Sequence, residues 1–320
     1  YLLFLLGFFF LIKGASLLIN GALSISKKYN LSYLLIGIII LAVGTSLPEL
    51  IININASIIN ESSIVSGNIA GSNIANTMLV LGIGALISKT IFSKKTFKFD
   101  LSYALISTYA VLALLFLQFL LVGELVIIRF HGLILISMLI IYLVYIFKRK
   151  NEFKKEIIRT IKHEQLSNMK IAFLQIIVGS VALHLGGEWV VSGAISISQS
   201  VGVTTSFISS SIIALGTSLP ELTTTIFSLL KKKEDLAIGN IIGSNILNIL
   251  LVFGVSAVIT PIVFNQTSIF NFLFAAFTIL LVILALSLRK INQGEYALMN
   301  YHGFLFVLVY VVYILLTYLI

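Results

Sequence analysis

Long runs of apolar residues dominate the chain, and short polar segments separate them. The runs extend for about 20 residues or more, the length that a helix needs to cross the hydrocarbon core of a bilayer. The alternation of apolar and polar residues that is typical of an outer-membrane β-barrel is absent. The pattern predicts ten transmembrane helices, at residues 1–25, 31–58, 63–88, 100–122, 125–147, 170–198, 203–230, 235–260, 266–288 and 296–319.

The composition supports an all-α integral membrane protein. Hydrophobic residues make up 59% of the 320 residues and charged residues only 10%, a balance that soluble globular domains do not have. The absence of cysteine excludes disulfides and thiol chemistry. No cleavable signal peptide is expected at residues 1–25, because this run is too long and lacks a charged start.

Basic residues occur in alternate segments between the predicted helices. Nineteen of the 21 Lys and Arg residues lie in five such segments, and the other four segments carry none. Because basic loops stay on the cytoplasmic side, both termini are expected outside, in a multi-pass protein of the cell membrane. The basic segments contain Lys27 and Lys28; Lys89 to Lys98; Lys148 to Lys170; Lys231 to Lys233; and Arg289 with Lys290.

The net charge of +9 therefore reflects membrane topology, and binding of nucleic acid is not expected. The interpretation that we favour for the basic segment 148–169 is a solvated cytoplasmic linker. Binding of anionic lipid or of a regulator is the alternative. The linker separates two predicted domains, at 1–147 and 170–320. Membrane lipid and transported ions are the expected partners, and we expect the protein to function as a monomer.

The two domains are related by an internal repeat. Gly-Thr-Ser-Leu-Pro-Glu-Leu occurs at 44–50 and again 172 residues later at 216–222. GNIAGSNIAN at 67–76 matches GNIIGSNILN at 239–248 with the same offset. Helices 1–5 thus repeat as helices 6–10. Because five is odd, the second copy must cross the membrane in the opposite sense, as in the inverted repeats of many secondary transporters.

The repeated heptapeptide is expected to break helices 2 and 7. A proline within a helix removes one N–H donor and clashes with the carbonyl four residues earlier. For Pro48 that carbonyl belongs to Gly44, and for Pro220 it belongs to Gly216. In lipid, carbonyls freed in this way need another partner, and a dehydrated cation can serve.

The same motifs place oxygen ligands beside these carbonyls. Glu49 and Glu221 supply negative charge, and carboxylates within membrane spans are costly and usually functional. Oxygen ligands suit Na⁺ and Ca²⁺, and no bound cofactor is expected. For Asn73 and Asn245 we favour hydrogen bonds between helices over a role as ligands. Further side-chain oxygens come from Thr45, Ser46, Thr217 and Ser218, and from the helical stripes Asn68, Ser72, Asn76 and Asn240, Ser244, Asn248.

These four motif blocks resemble the two alpha repeats of the sodium/calcium exchanger family, within the cation/calcium antiporter superfamily, and the short linker is similar to that of the prokaryotic members. The resemblance implies a secondary active antiporter, not an enzyme, that exchanges Na⁺ for Ca²⁺ by alternating access. It also implies that helices 1 and 6 slide across the remaining helices.

The resemblance further implies a set of ion ligands. The calcium site would consist of the carboxylates of Glu49 and Glu221 and the backbone carbonyls of Thr45 and Thr217. Flanking sodium sites would use the Ala42 carbonyl, Ser46 and Ser72 on one side, and the Ala214 carbonyl, Ser218 and Ser244 on the other. Asn76 and Asn248 would complete the centre.

Asn248 departs from the family pattern, because well-characterised members often have aspartate there. The centre can therefore carry a charge of at most −2, which one Ca²⁺, two Na⁺ or two H⁺ would neutralise. A third Na⁺ would leave an uncompensated positive charge in a low-dielectric site. A stoichiometry of three Na⁺ per Ca²⁺ is thus less favoured here than in relatives with the acid.

Three other functions share features of this sequence. A proton/calcium antiporter of the same fold is the main alternative, because buried glutamates can also bind protons; such exchangers usually carry a further acid after the Gly-Asn pair, which is missing here. A cation channel is a remote alternative, since inverted repeats fit alternating access better. A hydrolase would need a His set or a Ser/His pair near the glutamates, and the sequence has neither.

Other polar residues in the spans are expected to be structural. Lys13 should extend its amine toward the interface, and Arg129 should do so too or pair near Glu124. Glu188 is expected to lie at the membrane interface, and His131 and His302 occupy matched positions at the starts of helices 5 and 10.

Overall fold

The computed structural model describes residues 2–148, 168–200, 214–291 and 295–319. Within these ranges, nine helices are long and apolar enough to cross a membrane. The predicted helix 203–230, the seventh along the chain, lies partly outside these ranges. The helices are α1 Leu2–Tyr29, α2 Tyr33–Ile58, α3 Ser62–Ile87, α4 Thr96–Val122, α5 Arg129–Lys148, α6 Met169–Ser200, α7 Ala214–Thr217, α8 Leu219–Leu230, α9 Glu234–Ile259, α10 Gln266–Ser287 and α11 Asn300–Leu319.

Short strands qualify the prediction of an all-α fold. Two small antiparallel sheets lie between the helices, with strand orders β1–β5–β4 and β2–β3. Val126–Ile127 and Glu295–Leu298 replace the first residues predicted for helices 5 and 10. Pairing these segments satisfies backbone N–H and C=O groups that no helix accommodates. The strands are β1 Thr90–Phe92, β2 Val126–Ile127, β3 Ile262–Val263, β4 Lys290–Ile291 and β5 Glu295–Leu298.

Within the described ranges, four of the long helices contain a π-helical turn, in which the backbone bonds reach one residue further than in an α-helix. Such turns frequently mark functional sites. Two of them, in α3 and α9, lie at the end of the repeated Gly-Asn blocks, and the one in α9 begins at Asn248. The turns are Gly37–Leu41 in α2, Ala75–Val80 in α3, Thr96–Leu101 in α4 and Asn248–Phe253 in α9.

The two heptapeptides differ in conformation, and only the second breaks its helix. Ser218 leaves helical geometry (φ −94°, ψ 2°), and α8 then begins with Pro220 in its first turn, where an N–H would have no partner in the helix. The predicted break in helix 2 is wrong, because α-helical backbone continues from Ala42 to Ile58 through Pro48. Proline removes only its own N–H, and the bonds on either side of it hold the helix together.

The chain forms two compact units. The first contains Tyr1–Leu47 and Tyr142–Ser244, and the second contains Pro48–Ile141 and Asn245–Ile320. The boundaries fall within three helices: in α2 between Leu47 and Pro48, in α5 between Ile141 and Tyr142, and in α9 between Ser244 and Asn245. Each unit therefore takes helices from both predicted sequence repeats.

In the first unit, α1 and α6 pack in antiparallel orientation at very short range. A Cβ atom built on Gly14 would lie 2.9 Å from the carbonyl oxygen of Gly179, and one built on Gly7 would lie 2.9 Å from that of Gly186. Small residues allow such close approach of two backbones, which maximises dispersion contacts where lipid offers no hydrophobic driving force. Leu18 and Leu183 are fully buried in the apolar core of this pair.

The second unit contains two similar close contacts. A Cβ on Gly82 of α3 would lie 3.1 Å from the carbonyl oxygen of Gly303 in α11, and one on Gly132 of α5 would lie 2.6 Å from that of Gly254 in α9. In the sequence repeat, Gly82 corresponds to Gly254 at a shift of 172 residues, and Gly132 corresponds to Gly303 at a shift of 171. Each of the two contacts is therefore the repeat of the other. The repeat in sequence is thus matched by a repeat in packing.

Polar residues elsewhere in the spans make local contacts. The amine of Lys13 is exposed and lies 5.9 Å from the centroid of the Phe9 ring, and Glu188 is exposed. Arg129 donates from Nη2 to the carbonyl of Ile259 (3.2 Å) in the last turn of α9, where a cation is favoured by the helix dipole. His302 accepts the Met299 N–H at Nδ1 (3.0 Å), in keeping with a structural role.

Candidate ion-binding site

The glutamates of the two heptapeptides are both fully buried. Glu49 lies in the continuous part of α2, and Glu221 lies in the first turn of α8; neither side chain has any accessible surface. Burying an ionised carboxylate in a low-dielectric interior costs several kcal/mol unless positive charge or hydrogen-bond donors compensate it. Their complete burial marks both positions as functional candidates.

In the first unit, hydroxyl groups surround Glu221. Thr45, Ser46 and Ser244 lie near its carboxylate, although neither carboxylate oxygen has a hydrogen-bond partner in the described part of the chain. Thr45 Oγ1 lies 3.3 Å from Ser244 Oγ and within 3.3 Å of the carbonyl oxygen of Ala42. The structure therefore brings five predicted ligand residues together, although their sequence positions are far apart.

Asn240 connects this cluster to α8, a role that was not predicted. Its Oδ1 accepts from Thr45 Oγ1 (3.3 Å), and its Nδ2 donates to Thr224 Oγ1 (2.9 Å). Thr224 lies one helical turn after Glu221 and is fully buried. The sequence signal for this contact was the repeated Gly-Asn pair together with a threonine three residues after the glutamate.

In the second unit, Asn53 bonds to the backbone of Glu49 one turn earlier in α2. Asn53 Nδ2 donates to the Glu49 carbonyl at 2.6 Å, and Ser57 Oγ donates to the Asn53 carbonyl at 2.7 Å. Both side chains are buried. Polar groups thus continue along one face of α2 beyond the carboxylate, a feature that the repeated heptapeptide does not predict because it ends at Leu50.

Asparagines of α3 and α9 form a hydrogen-bonded network in the same unit. Asn73 Nδ2 donates to the carbonyl of Asn245 (3.1 Å), Asn245 Nδ2 donates to Thr77 Oγ1 (2.9 Å), and Asn248 Nδ2 donates to Asn73 Oδ1 (3.1 Å). The prediction that Asn73 and Asn245 make hydrogen bonds between helices is confirmed. Asn248, a predicted ligand, is part of this network.

The structure shows the remaining predicted ligands chiefly as buried polar groups. Thr217 is partly buried at the end of α7, and Ala214 begins that helix, with a side chain outside the described set. Among the described residues, Ser218 Oγ and both amide atoms of Asn76 have no hydrogen-bond partner. The buried members of this group are Ser72, Asn76 and Ser218, each with no more than 2% of its surface exposed.

The side chains described above provide oxygen ligands and no soft ligand. In the described parts of the chain, no group of three or more His, Cys, Asp or Glu residues could hold a metal. Carboxylate, hydroxyl, amide and carbonyl oxygens are instead the ligands of hard cations such as Na⁺ and Ca²⁺. The fold and these residues define a multi-pass helical membrane protein of the ion-transporter class.

The chain belongs to the sodium/calcium exchanger family. The family described as "Sodium/calcium exchanger protein" matches residues 1–148 and 171–319, which is nearly the whole chain. The protein is therefore a member of a family of cation transporters, in agreement with the resemblance of its repeated motifs.

Relatives cover the same length. A putative antiporter, CaxA, of Alkalimonas amylolytica is 31% identical over 95% of this chain and 97% of its own. The sodium/calcium exchanger MaX1 of Methanosarcina acetivorans is 30% identical over 97% and 99%, respectively. The solved structure of a sodium/calcium exchanger from Methanococcus jannaschii superposes with a TM-score of 0.79 at 27% identity, covering 98% of this chain and 96% of that one.

Proposed function

We propose that this protein exchanges Na⁺ for Ca²⁺ across the cell membrane by alternating access. The observation that carries the proposal is the complete burial of both repeated glutamates in a chain of this family. A buried carboxylate that can exchange its cation for another is a suitable centre for counter-transport. The named activity of relatives such as MaX1 supports the choice of Na⁺ and Ca²⁺.

In this mechanism, Ca²⁺ binds to the carboxylates of Glu49 and Glu221 and to the backbone carbonyls of Thr45 and Thr217. Na⁺ binds at flanking positions that share the same glutamates, so the two ions compete. The clustering of hydroxyl oxygens around Glu221 supports this assignment. The sodium ligands are Ala42, Ser46 and Ser72 on one side, Ala214, Ser218 and Ser244 on the other, and Asn76 with Asn248 at the centre.

Electrostatics couples the two ions. Without a cation, the site would carry the negative charge of two buried carboxylates as it changes sides, which is costly in a low dielectric. With Ca²⁺ or two Na⁺ bound, the charge is neutralised and the transition becomes accessible. The protein therefore exchanges ions and does not leak them.

An inverted repeat provides the two access states. The antiparallel packing of α1 and α6, the first helices of the two sequence copies, supports this arrangement. In an inverted repeat, exchanging the conformations of the two copies turns an outward-open state into an inward-open state. Sliding of α1 and α6 across the remaining helices would open the ion site to one side of the membrane and close it to the other.

Uptake of ⁴⁵Ca²⁺ into proteoliposomes tests this function. Purified protein is reconstituted, and uptake is compared under an outward Na⁺ gradient and an outward H⁺ gradient, each with the membrane potential clamped. Saturable uptake driven by Na⁺ is expected. Uptake driven only by H⁺ would establish the proton/calcium antiporter instead, and Ca²⁺ flux with unitary currents and no counter-ion would establish a channel.

A further inference from the structure

The asparagine network of the second unit fixes which atom of each amide is a donor. The carbonyl of Asn245 can only accept a hydrogen bond, so the Asn73 group that faces it must be the amide nitrogen. Asn73 then presents its oxygen to Asn248, and Asn248 must present its nitrogen in return. Thr77 completes the set by accepting from Asn245 and donating to the Asn73 carbonyl (2.7 Å).

The network leaves carbonyl oxygens as the unpaired atoms. Among the described residues, Asn245 Oδ1 and Asn248 Oδ1 are buried and have no hydrogen-bond partner. Asn245 and Asn248 are 5% and 0% exposed, so water does not satisfy these oxygens freely. A buried amide whose nitrogen is held and whose oxygen is unpaired is prepared to accept a cation.

The network is not symmetric between the two sequence copies. Asn73 and Asn76 correspond to Asn245 and Asn248, but Thr77 corresponds to Ile249, which has no hydroxyl. Thr77 binds the nitrogen of Asn245, and neither amide atom of Asn76 has a hydrogen-bond partner in the described part of the chain. Hydrogen bonds therefore orient the amide of Asn248, and among the described residues none orients the amide of its counterpart Asn76.

We propose that Asn73 and Thr77 are positioning residues that hold the amides of Asn248 and Asn245 with their oxygens available to the transported cation. This inference rests on the proposed function. It explains how a neutral residue at position 248 contributes to cation binding: Asn73 prevents the amide from turning its nitrogen, with its partial positive charge, toward the ion. Neither Asn73 nor Thr77 needs to touch the ion.

A double-mutant cycle between Asn73 and Asn248 tests the proposal. Asn73→Leu, Asn248→Ala and the double variant are purified in detergent, and Ca²⁺ and Na⁺ binding is measured by calorimetry. Asn73→Leu should weaken binding about threefold or more in the native background and less than about twofold when Asn248 is already Ala, as coupled residues do. Equal effects in the two backgrounds would overturn the proposal.

Asn271→Leu provides a matched control for the loss of a buried asparagine. Asn271 lies in the same unit and accepts from Tyr313 Oη at 3.1 Å, outside the network. It should lower the unfolding temperature without changing ion affinity. If Asn73→Leu changed only the unfolding temperature as well, Asn73 would have a structural role alone.

Substitutions at Thr77 keep the proposal testable if the asparagine variants fold poorly. Thr77→Ser retains the hydroxyl and should bind Ca²⁺ as the native protein does, whereas Thr77→Val, of the same shape, should bind it about threefold more weakly, as expected for loss of a buried hydrogen bond. Equal affinities for the Ser and Val variants would contradict a role for Thr77.

Failure of the proposed function is recognised separately. If the native protein shows no Na⁺-driven ⁴⁵Ca²⁺ uptake but the cycle in cation binding remains coupled, the exchange activity is wrong and the positioning roles stand. If the native protein exchanges the ions and the two single effects simply multiply, the positioning roles alone are refuted.

Discussion

At the scale of single residues, the two glutamates are equivalent in sequence but have different neighbours. Glu221 lies among the hydroxyl groups of Thr45, Ser46 and Ser244. Glu49 lies in an unbroken helix, where its carbonyl accepts from Asn53. The carboxylates and most hydroxyls were predicted from the sequence because they are duplicated. The roles of Thr224, Asn53 and Thr77 were not predicted, because none of the three residues is identical in the other sequence copy.

Removing either charge should abolish Ca²⁺ exchange. Glu49→Gln and Glu221→Gln keep the shape of the side chain but leave the centre with a charge of at most −1, which cannot neutralise a divalent cation. Uptake of ⁴⁵Ca²⁺ should fall by about 100-fold or more, consistent with the loss of roughly 3 kcal/mol for one charge-assisted contact. Glu124→Gln, at an exposed position between α4 and β2, is the control. Substantial uptake by either site variant would refute the proposed centre.

At the scale of secondary-structure elements, the α1–α6 pair depends on the absence of side chains at its contact. A Cβ on Gly14 would lie 2.8 Å from the backbone nitrogen of Leu183, and one on Gly179 would lie 2.6 Å from that of Leu18. Backbone atoms cannot rotate away, so the helices would have to separate. The sequence showed glycines at spacings of seven in α1, but the partner helix became evident only in the structure.

Gly14→Ala and Gly179→Ala should therefore lower the unfolding temperature. Overpacking of this kind typically costs about 1–3 kcal/mol, which exceeds the gain of about 1 kcal/mol from replacing a helical glycine with alanine. Gly67→Ala is the matched comparison, because a Cβ there would meet no atom within 4 Å, and it should keep or raise the unfolding temperature. Fluorescence-detected thermal unfolding in detergent gives the ranking, and equal shifts for all three variants would contradict it.

At the scale of the whole molecule, the distribution of charge is the basis of two proposals, one for the membrane topology and one for the number of Na⁺ exchanged per Ca²⁺. Nineteen of the 21 Lys and Arg residues lie in alternate loops of the sequence, from which we propose that both termini lie outside. The buried centre is proposed to carry two glutamates and two asparagines, so its maximum charge is −2. These two features lead to separate predictions.

The chain's lack of cysteine makes the topology directly measurable. Lys94→Cys and Glu124→Cys place single thiols at exposed positions in a basic and a non-basic loop. A membrane-impermeant maleimide added to intact cells should label only the second. Labelling of Lys94→Cys from outside, with Glu124→Cys protected, would reverse the proposed orientation.

The charge of the centre predicts two Na⁺ per Ca²⁺. Because the exchanged charges then cancel, ⁴⁵Ca²⁺ flux in proteoliposomes should be insensitive to a clamped membrane potential, and Ca²⁺ should equilibrate with the square of the Na⁺ ratio. A third Na⁺ would leave uncompensated positive charge in a low dielectric. A reversal potential that matches three Na⁺ would contradict this prediction.

The class of protein, the approximate positions of the spans and the duplicated glutamates follow from the sequence alone. Spans in lipid need long apolar helices, and carboxylates within them are rare, so both features can be recognised from local sequence. The continuation of α2 through Pro48, the pairing of short strands between the helices and the amide-to-oxygen contacts are seen only in the three-dimensional structure. Thr45 and Ser244 are 199 residues apart, and Asn73 and Asn248 are 175 apart, so their contacts depend on helix packing that no local pattern encodes.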